Sequence, residues 1–221
     1  MNLDEAIEGL EKLIAEVRSA SLTDDKTRLG SAMSLRQHAR FFNDGVSRFD
    51  VIMFGDLDDF KRLNEEHTHD AGDVAINEAG EVIHKVVEGL NGMAFRQSGD
   101  EFIILIERNQ IPKFLSVASS LRNIRFSYNR KKIQTALSLG YAQGDGRASF
   151  EELRERAEIA CQFAKAKREG ECVEWTDSIK VNPLVRRNGR CLNCGARISC
   201  NVPKLSAPLT LLVCPCCQGS L

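Results

Sequence analysis

The run "RFDVIMFGDL" constrains the fold more than any other stretch of the chain. From Phe49 to Leu57 it is apolar almost throughout, which reads as a strand in the middle of a sheet, yet it ends on Asp56. Further along, "MAFRQ" and "FIILI" read as two strands joined by "SGDE", with Gly99 at the turn, and so as a hairpin. Set beside that hairpin, the strand ending at Asp56 would bring Asp56, Asp100 and Glu101 to one edge of the sheet.

The rest of the chain supplies helices. Leu3, Ile7, Leu10, Ile14 and Val17 recur at spacings of 4, 3, 4 and 3, a heptad seam over residues 1–20. It suits either an amphipathic helix laid on its own domain or a short parallel coiled coil that pairs two chains. Helices are predicted from about Thr27 to Phe42, from Phe60 to Glu65, from Asp73 to Val87 and from Ile111 to Ile124, with His67 to Gly72 a turn. "QTALSLGYA" alternates as a strand, and "SFEELRERAEIACQFAKAKRE" is a helix whose Ser149 precedes two glutamates. This order predicts an α+β sandwich of the ferredoxin-like or palm type, an antiparallel or mixed sheet with helices on one side. Neither common glycine-rich phosphate loop is present, so ATPase and dinucleotide-binding readings lose their main support.

A break in composition marks a second unit. From Ser178 to Leu221 there is no Asp or Glu, and that stretch holds four of the five prolines and six of the eight cysteines. The predicted division is a main domain over 21–174, a linker over 175–190 and a small module over 191–221. Cys191-x2-Cys194 and, after nineteen intervening residues, Cys214-x2-Cys217 form a pattern similar to a zinc ribbon, with four thiolates for a structural Zn²⁺. Cys200 and Cys216 are left over, Cys161 reads as a core residue and Cys172 has no assigned role. A basic ribbon permits nucleic-acid contact, but a four-thiolate zinc site offsets much of the charge and only Phe163 and Trp175 are aromatic after Gln162. Contact with a protein partner is at least as well supported. The start "MNLDEAIEGLEK" has neither a basic leader nor a membrane-length apolar run, so a cytoplasmic setting without a membrane is expected.

Three converging carboxylates repel one another and raise each other's pKa values unless a cation compensates. Mg²⁺ is the natural candidate, being hard and usually held by one or two carboxylates together with substrate phosphates. Two such ions can activate a 3′-hydroxyl and stabilise a pyrophosphate leaving group. The competing reading is a solvated hairpin turn with acidic decoration.

A resemblance sharpens this choice. "SGDEF" resembles the GGDEF motif of diguanylate cyclases. "DDKTRLGS" resembles the family's "D-x-L-T-G-L-x-N", with Asp24, Thr27 and Leu29 kept, and "FGDLDDFKRLNEEHTHDAGD" resembles "F-x-D-x-D-x-F-K-x-I-N-D-x-x-G-H-x-x-G-D". "TALSLGYA" and "SFEELRERAEIACQFAK" resemble the family's later strand and last helix. The resemblance implies condensation of two GTP molecules into cyclic di-GMP and two pyrophosphates, with Mg²⁺ or Mn²⁺, across a homodimer. It makes Asp56 and the Leu57 carbonyl metal ligands, and gives Asp100 and Glu101 metal binding and orientation of the attacking hydroxyl. Asn64 and Asp73 would bind guanine, Lys61 and Lys165 would lie near the phosphates, and the helix start at Phe60 would face the phosphates with its backbone N–H groups. Asp58 would support the loop rather than bind metal.

The chain also departs from the family pattern. Ser98 replaces the first glycine of the motif and is expected to resist positive φ and to crowd a close phosphate. Thr68 replaces the glycine of "GH" and Glu65 an aspartate. Gln162 stands at the usual tyrosine of the last helix, and Glu169 at a phosphate-facing arginine, which would weaken triphosphate binding. The family's product-inhibition motif "R-x-x-D" falls on Gly89 to Gly92 and is absent, so feedback through that site is not expected. Arg96 is read as structural. These losses keep open a non-catalytic nucleotide-binding adaptor, or a synthase of related cyclic oligonucleotides, as alternatives.

Overall fold

The computed structural model describes residues 21–167 and 172–176, with Ile7 and Ile179, and the backbone alone at 166–167, 184–190 and 197–203. In chain order the elements are α1 (Ala32–Asn43), β1 (Val51–Leu57), α2 (Phe60–His67), α3 (His69–Glu88), β2 (Met93–Ser98) and β3 (Glu101–Ile106). They continue with α4 (Ile111–Val117), β4 (Ile124–Tyr128), β5 (Lys131–Thr135), β6 (Leu137–Gln143), α5 (Phe150–Lys167), β7 (Cys172–Glu174), β8 (Leu184–Arg190) and β9 (Arg197–Pro203).

Five strands form one sheet in the order β2-β3-β1-β6-β7, antiparallel except for the β6–β7 pair. β1 lies at its centre, as its apolar run predicts. Because side chains alternate along a strand, an unbroken apolar run needs cover on both faces. Val51, Met53 and Leu57 pack with Ile76, Ala79 and Ile83 of α3, whereas Ile52 and Phe54 pack with Leu35 of α1 and Leu153 and Ala157 of α5. The α+β prediction therefore holds, but helices on one side is corrected to helices on both. α5 comes so close to β6 that a β-carbon on Gly140 would lie 2.1 Å from the Cys161 backbone nitrogen. Only glycine permits that approach.

Helix ends follow local chemistry. Ser31 caps α1 by accepting from the Ser34 N–H, and Ser149 and Glu152 exchange hydrogen bonds as a capping box at the start of α5. The predicted helix from Thr27 begins later, at Ala32. Asp24 accepts from both the Thr27 N–H and its hydroxyl, folding residues 24–28 into a turn that ends with Arg28 at φ 60°. The predicted turn at His67–Gly72 narrows to a break at Thr68 between two helices. The helix predicted over 111–124 stays α-helical only to Val117 and tightens to 3₁₀ over Ala118–Arg122.

"QTALSLGYA" is two strands, not one. Gln134 and Thr135 end β5, which pairs with β4 through a turn whose Asn129 and Arg130 both have positive φ, the geometry of a type I′ hairpin. This hairpin, through Phe126, Tyr128 and Ile133, covers Leu63 of α2 and Ala71 and Ala75 of α3. β8 and β9 form a separate antiparallel hairpin. Of the predicted first helix only Ile7 is described, and it is helical and exposed. No helix among the described residues is long and apolar enough to cross a membrane.

Candidate active site

Register places the acids. Asp56, near the C-terminal end of β1, pairs directly with Glu101 at the start of β3 and with Ser138 of β6 on its other side. The Leu57 N–H donates to the Asp100 carbonyl at 3.2 Å, so the hairpin turn is tied to the β1 end by backbone. Asp56, Asp100 and Glu101 thus share one edge of the sheet, as the sequence predicts.

Electrostatics at this edge are strained. The Asp56 carboxyl is raised to about 6, chiefly by burial, with Lys165 pulling against that shift and the neighbouring Asp100 carboxylate adding to it. Lys165 reaches out from α5 to make an ion pair with Asp56 Oδ1, and its Nζ lies 3.4 Å from the Leu57 carbonyl. A cation from the chain itself therefore sits on the two oxygens predicted to hold metal. Glu101 is held separately, its Oε2 accepting from Ser98 Oγ at 2.6 Å and from Gln97 Nε2 at 3.1 Å. Ser98 is not among the residues at positive φ; Gly99 alone takes that role in the turn, at 44°. The expected strain at Ser98 is absent, and its hydroxyl instead grips Glu101.

Supporting residues fall into place around the acids. Asp58 accepts from Ser138 Oγ at 2.7 Å and its N–H donates to the Ala136 carbonyl, so it braces the loop, and burial raises its pKa above the usual carboxylate range. Arg96 bridges Asp24, at 3.2 Å, and the Gly99 carbonyl, at 2.9 Å, which ties the 24–28 turn to the acidic hairpin. Among the described residues no three acidic, histidine or cysteine side chains gather closely enough to hold an ion alone. Two carboxylates and a carbonyl that leave room for phosphate oxygens are nonetheless the usual donor set for Mg²⁺. The residues present fit that ion.

A second corner gathers the predicted base-binding residues. A β-carbon on Gly72 would lie 2.0 Å from Asn64 Oδ1 and 3.1 Å from Phe60 Cζ, so a bare glycine lets both side chains lie against α3. Asn64 Oδ1 is buried and has no hydrogen-bond partner among the described residues. Asp73, one position beyond Gly72, makes a 2.5 Å ion pair with Lys26. The helix α2 starts at Phe60 after Asp59 in a left-handed conformation, with no side-chain cap. Lys61 stands apart from both corners; it is almost fully exposed, and it pairs with Glu65 at 3.9 Å. A polar cavity of about 230 Å³ opens between α2 and β5, but none of Asp56, Asp100 and Glu101 lines it.

Lys26 is the residue that sequence reasoning passed over. It stands where the family pattern "D-x-L-T" has leucine, and that exchange of an apolar for a charged residue was the available signal. Cys191, Cys194, Cys214 and Cys217, and Glu169, lie outside the described residues.

The sheet and its acidic edge define a palm-type α+β domain. Residues 21–171 match the family model for the diguanylate cyclase GGDEF domain, and the chain belongs to that family. Its curated relatives include the bifunctional diguanylate cyclase/cyclic di-GMP phosphodiesterase MucR of Pseudomonas aeruginosa, 30% identical over 165 residues, which are 72% of this chain and 22% of that protein. Diguanylate cyclase DgcN of Escherichia coli K12 is 27% identical, over 70% of this chain and 39% of that protein. The chain thus spans well under half the length of these curated relatives. Among solved structures, diguanylate cyclase SiaD of Pseudomonas aeruginosa in complex with its activator SiaC superposes with a TM-score of 0.66 at 22% identity, covering 77% of this chain and 68% of that one. The coiled coil and GGDEF domain of DgcB from Caulobacter crescentus, in complex with c-di-GMP, gives 0.64 at 20% identity, covering 77% and 94%. At these identities the superpositions speak for the fold alone.

Proposed function

We propose that the chain is a diguanylate cyclase that condenses two GTP molecules into cyclic di-GMP and two pyrophosphates across a homodimer. The observation that carries this reading is the junction of β1 and β3, where Asp56, Asp100 and Glu101 meet beside the Leu57 carbonyl under the ammonium of Lys165. Bound Mg²⁺ or Mn²⁺ would lower the pKa of a 3′-hydroxyl and offset charge on the triphosphate.

The chain's own residues do the rest. Asp56, Asp100, Glu101 and the Leu57 carbonyl would hold the ion. Glu101, fixed by Ser98 and Gln97, orients the 3′-hydroxyl and takes up its proton. Each 3′-oxygen then bonds to the α-phosphorus of the other GTP as the bond to the bridging oxygen breaks and pyrophosphate leaves. Lys165 moves from Asp56 toward the triphosphate as its charge arrives, and the uncapped N–H groups at the start of α2 face the phosphates. Lys61, on the exposed side of α2, reaches the same phosphates from solvent. Asp73 accepts from guanine's ring N–H and amino group, and Asn64, whose Oδ1 has no partner among the described residues, hydrogen-bonds the base beside it. Each domain holds one GTP, so the reaction needs two domains face to face, and the heptad over residues 1–20 supports such a pairing.

Residues 191–221 are read as a zinc ribbon. Cys191 and Cys194 fall in the connection between β8 and β9, where one Cys-x2-Cys knuckle would sit, and Cys214 and Cys217 would complete a tetrathiolate site that contacts a protein partner. With no membrane-length helix described and cysteines in metal-ligand spacing, a cytoplasmic setting suits both units. A nucleotide-binding adaptor without turnover is the second reading, favoured by Glu169 at the phosphate-facing position.

The test is chromatography of the products formed from GTP and Mg²⁺ by the parent and by an Asp100→Ala, Glu101→Ala variant. Cyclic di-GMP from the parent alone supports the cyclase. Tight GTP binding without product, at protein concentrations that force pairing, would favour the adaptor.

A further inference from the structure

We propose that Lys26 is a specificity-determining residue of the base corner, donating a hydrogen bond to the 6-oxo group of guanine while Asp73 accepts from the adjacent ring N–H and amino group. The inference rests on the guanine-binding reading of Asn64 and Asp73.

The lysine is positioned before any ligand arrives. Its Nζ lies 2.5 Å from Asp73 Oδ1. Its backbone is pinned to the helix that carries Asp73, because Asn77 Nδ2 donates to the Lys26 carbonyl at 2.7 Å. The next residue, Thr27, is buried against Gly80 of the same helix, where a β-carbon would lie 2.7 Å from Thr27 Cβ. Asp24 and Arg96 fasten the other end of the turn to the acidic hairpin.

Guanine presents three groups in a row: an amino donor, a ring N–H donor and an oxo acceptor. A carboxylate accepts from the first two side by side, which brings the oxo group to the carboxylate's flank. There the lone pairs of the oxo group would face a negative charge. A lysine on that flank converts the clash into a charge-assisted hydrogen bond. Adenine would meet the same pair with an amino donor against the ammonium and a ring-nitrogen lone pair against the carboxylate, two mismatches at once. An ammonium has three donors, so Lys26 serves the oxo group without releasing Asp73. Both side chains are about half exposed, at 47% and 52%, which leaves them reachable by a base and makes their mutual attraction weak. The leucine of the family pattern has no such donor.

Equilibrium binding in a Glu101→Gln background, which prevents turnover, tests this with GTP, ATP and 6-thioguanosine triphosphate, whose sulfur is a poor acceptor. The parent should prefer GTP to ATP and to the thio analogue. Lys26→Met should weaken GTP roughly tenfold, leave ATP unchanged or slightly tighter, and remove the difference between GTP and the thio analogue, whereas Lys26→Arg keeps most of the preference. A merely structural role would shift all three nucleotides together, and that result overturns the proposal. So does GTP binding that is unchanged or tighter in Lys26→Met, which makes the lysine a competitor for Asp73 while the guanine reading stands. A parent that binds GTP and ATP alike removes the guanine reading itself.

Discussion

At the acid edge of the sheet, Asp56 and Lys165 are 24% and 30% exposed; at the base corner, Asp73 and Lys26 are 52% and 47% exposed. The first pair is set by strand register, with Asp56 facing Glu101 and Ser138 across two ladders. The second is set where a turn meets a helix, and beside it Thr68 holds φ 90° and ψ 160°, a region that glycine tolerates and a β-branched residue does not. Charge near the sheet is desolvated and strained, so it acts strongly on whatever cation or phosphate arrives. Charge at the corner is solvated and adjustable, suited to choosing between bases.

If the acid edge carries the chemistry, Asp100→Ala with Glu101→Ala should lower cyclic di-GMP formation by roughly 10³-fold or more while the protein still binds GTP. Loss of binding without loss of turnover per bound nucleotide would break the division between the two regions.

Asp56→Asn sharpens the same contrast through stability. The Asp56 carboxyl is raised from its ordinary 3.8 to about 6, chiefly by burial, so the folded state holds the proton more tightly than the unfolded state. The cost of ionising it appears as pH rises from about 4 to about 6 and is fully present above. In the presence of a chelator at pH 7, Asp56→Asn should therefore stabilise the domain by about 1–2 kcal/mol, allowing for solvent screening, while abolishing turnover. Denaturant melts at pH 4 and pH 7 check this; an equal effect at both would contradict the strain assigned to the edge. Because ion and proton compete for Asp56, Mg²⁺ affinity should fall as pH drops through about 6.

Smaller effects separate positioning from strain. Ser98→Gly removes the 2.6 Å hydrogen bond to Glu101 and should lower kcat about threefold with little change in GTP affinity. Unchanged kcat would mean that Gln97 suffices. Thr68→Gly should stabilise the domain by about 1 kcal/mol, net of glycine's greater unfolded-state entropy and the loss of the 3.2 Å contact with the Tyr128 hydroxyl. Kinetic constants should move less than twofold in that variant.

The contrast also explains what could be read from the chain. β1 and β3 were legible because consecutive apolar residues leave few alternatives to a buried strand, and once they pair, the acids at their ends must meet. The same residues carried the second helical layer, missed because an apolar run covered on both faces was read with helices on one. Ser149 and its capping box were visible for a local reason, needing only neighbours in sequence. The β4–β5 hairpin was not. Its signal was a two-residue Asn129–Arg130 turn without glycine, and "QTALSLGYA" hid a break at Ala136 inside a continuous alternation. Lys26 was marked only by its charge where the family pattern has leucine; its partner lies 47 residues away on a different element, so that mark did not identify the contact. Ser98 was seen, but its effect was misread as backbone strain because the positive φ fell on Gly99 instead.

The most direct test of the central claim is the initial rate of pyrophosphate release from GTP and Mg²⁺, measured across a dilution series of the protein with GTP consumption followed in parallel. Condensation across two domains predicts one pyrophosphate per GTP consumed and a rate that falls with the square of protein concentration once the pairs dissociate. A rate linear in protein down to the lowest concentration, or inorganic phosphate in place of pyrophosphate, would contradict it.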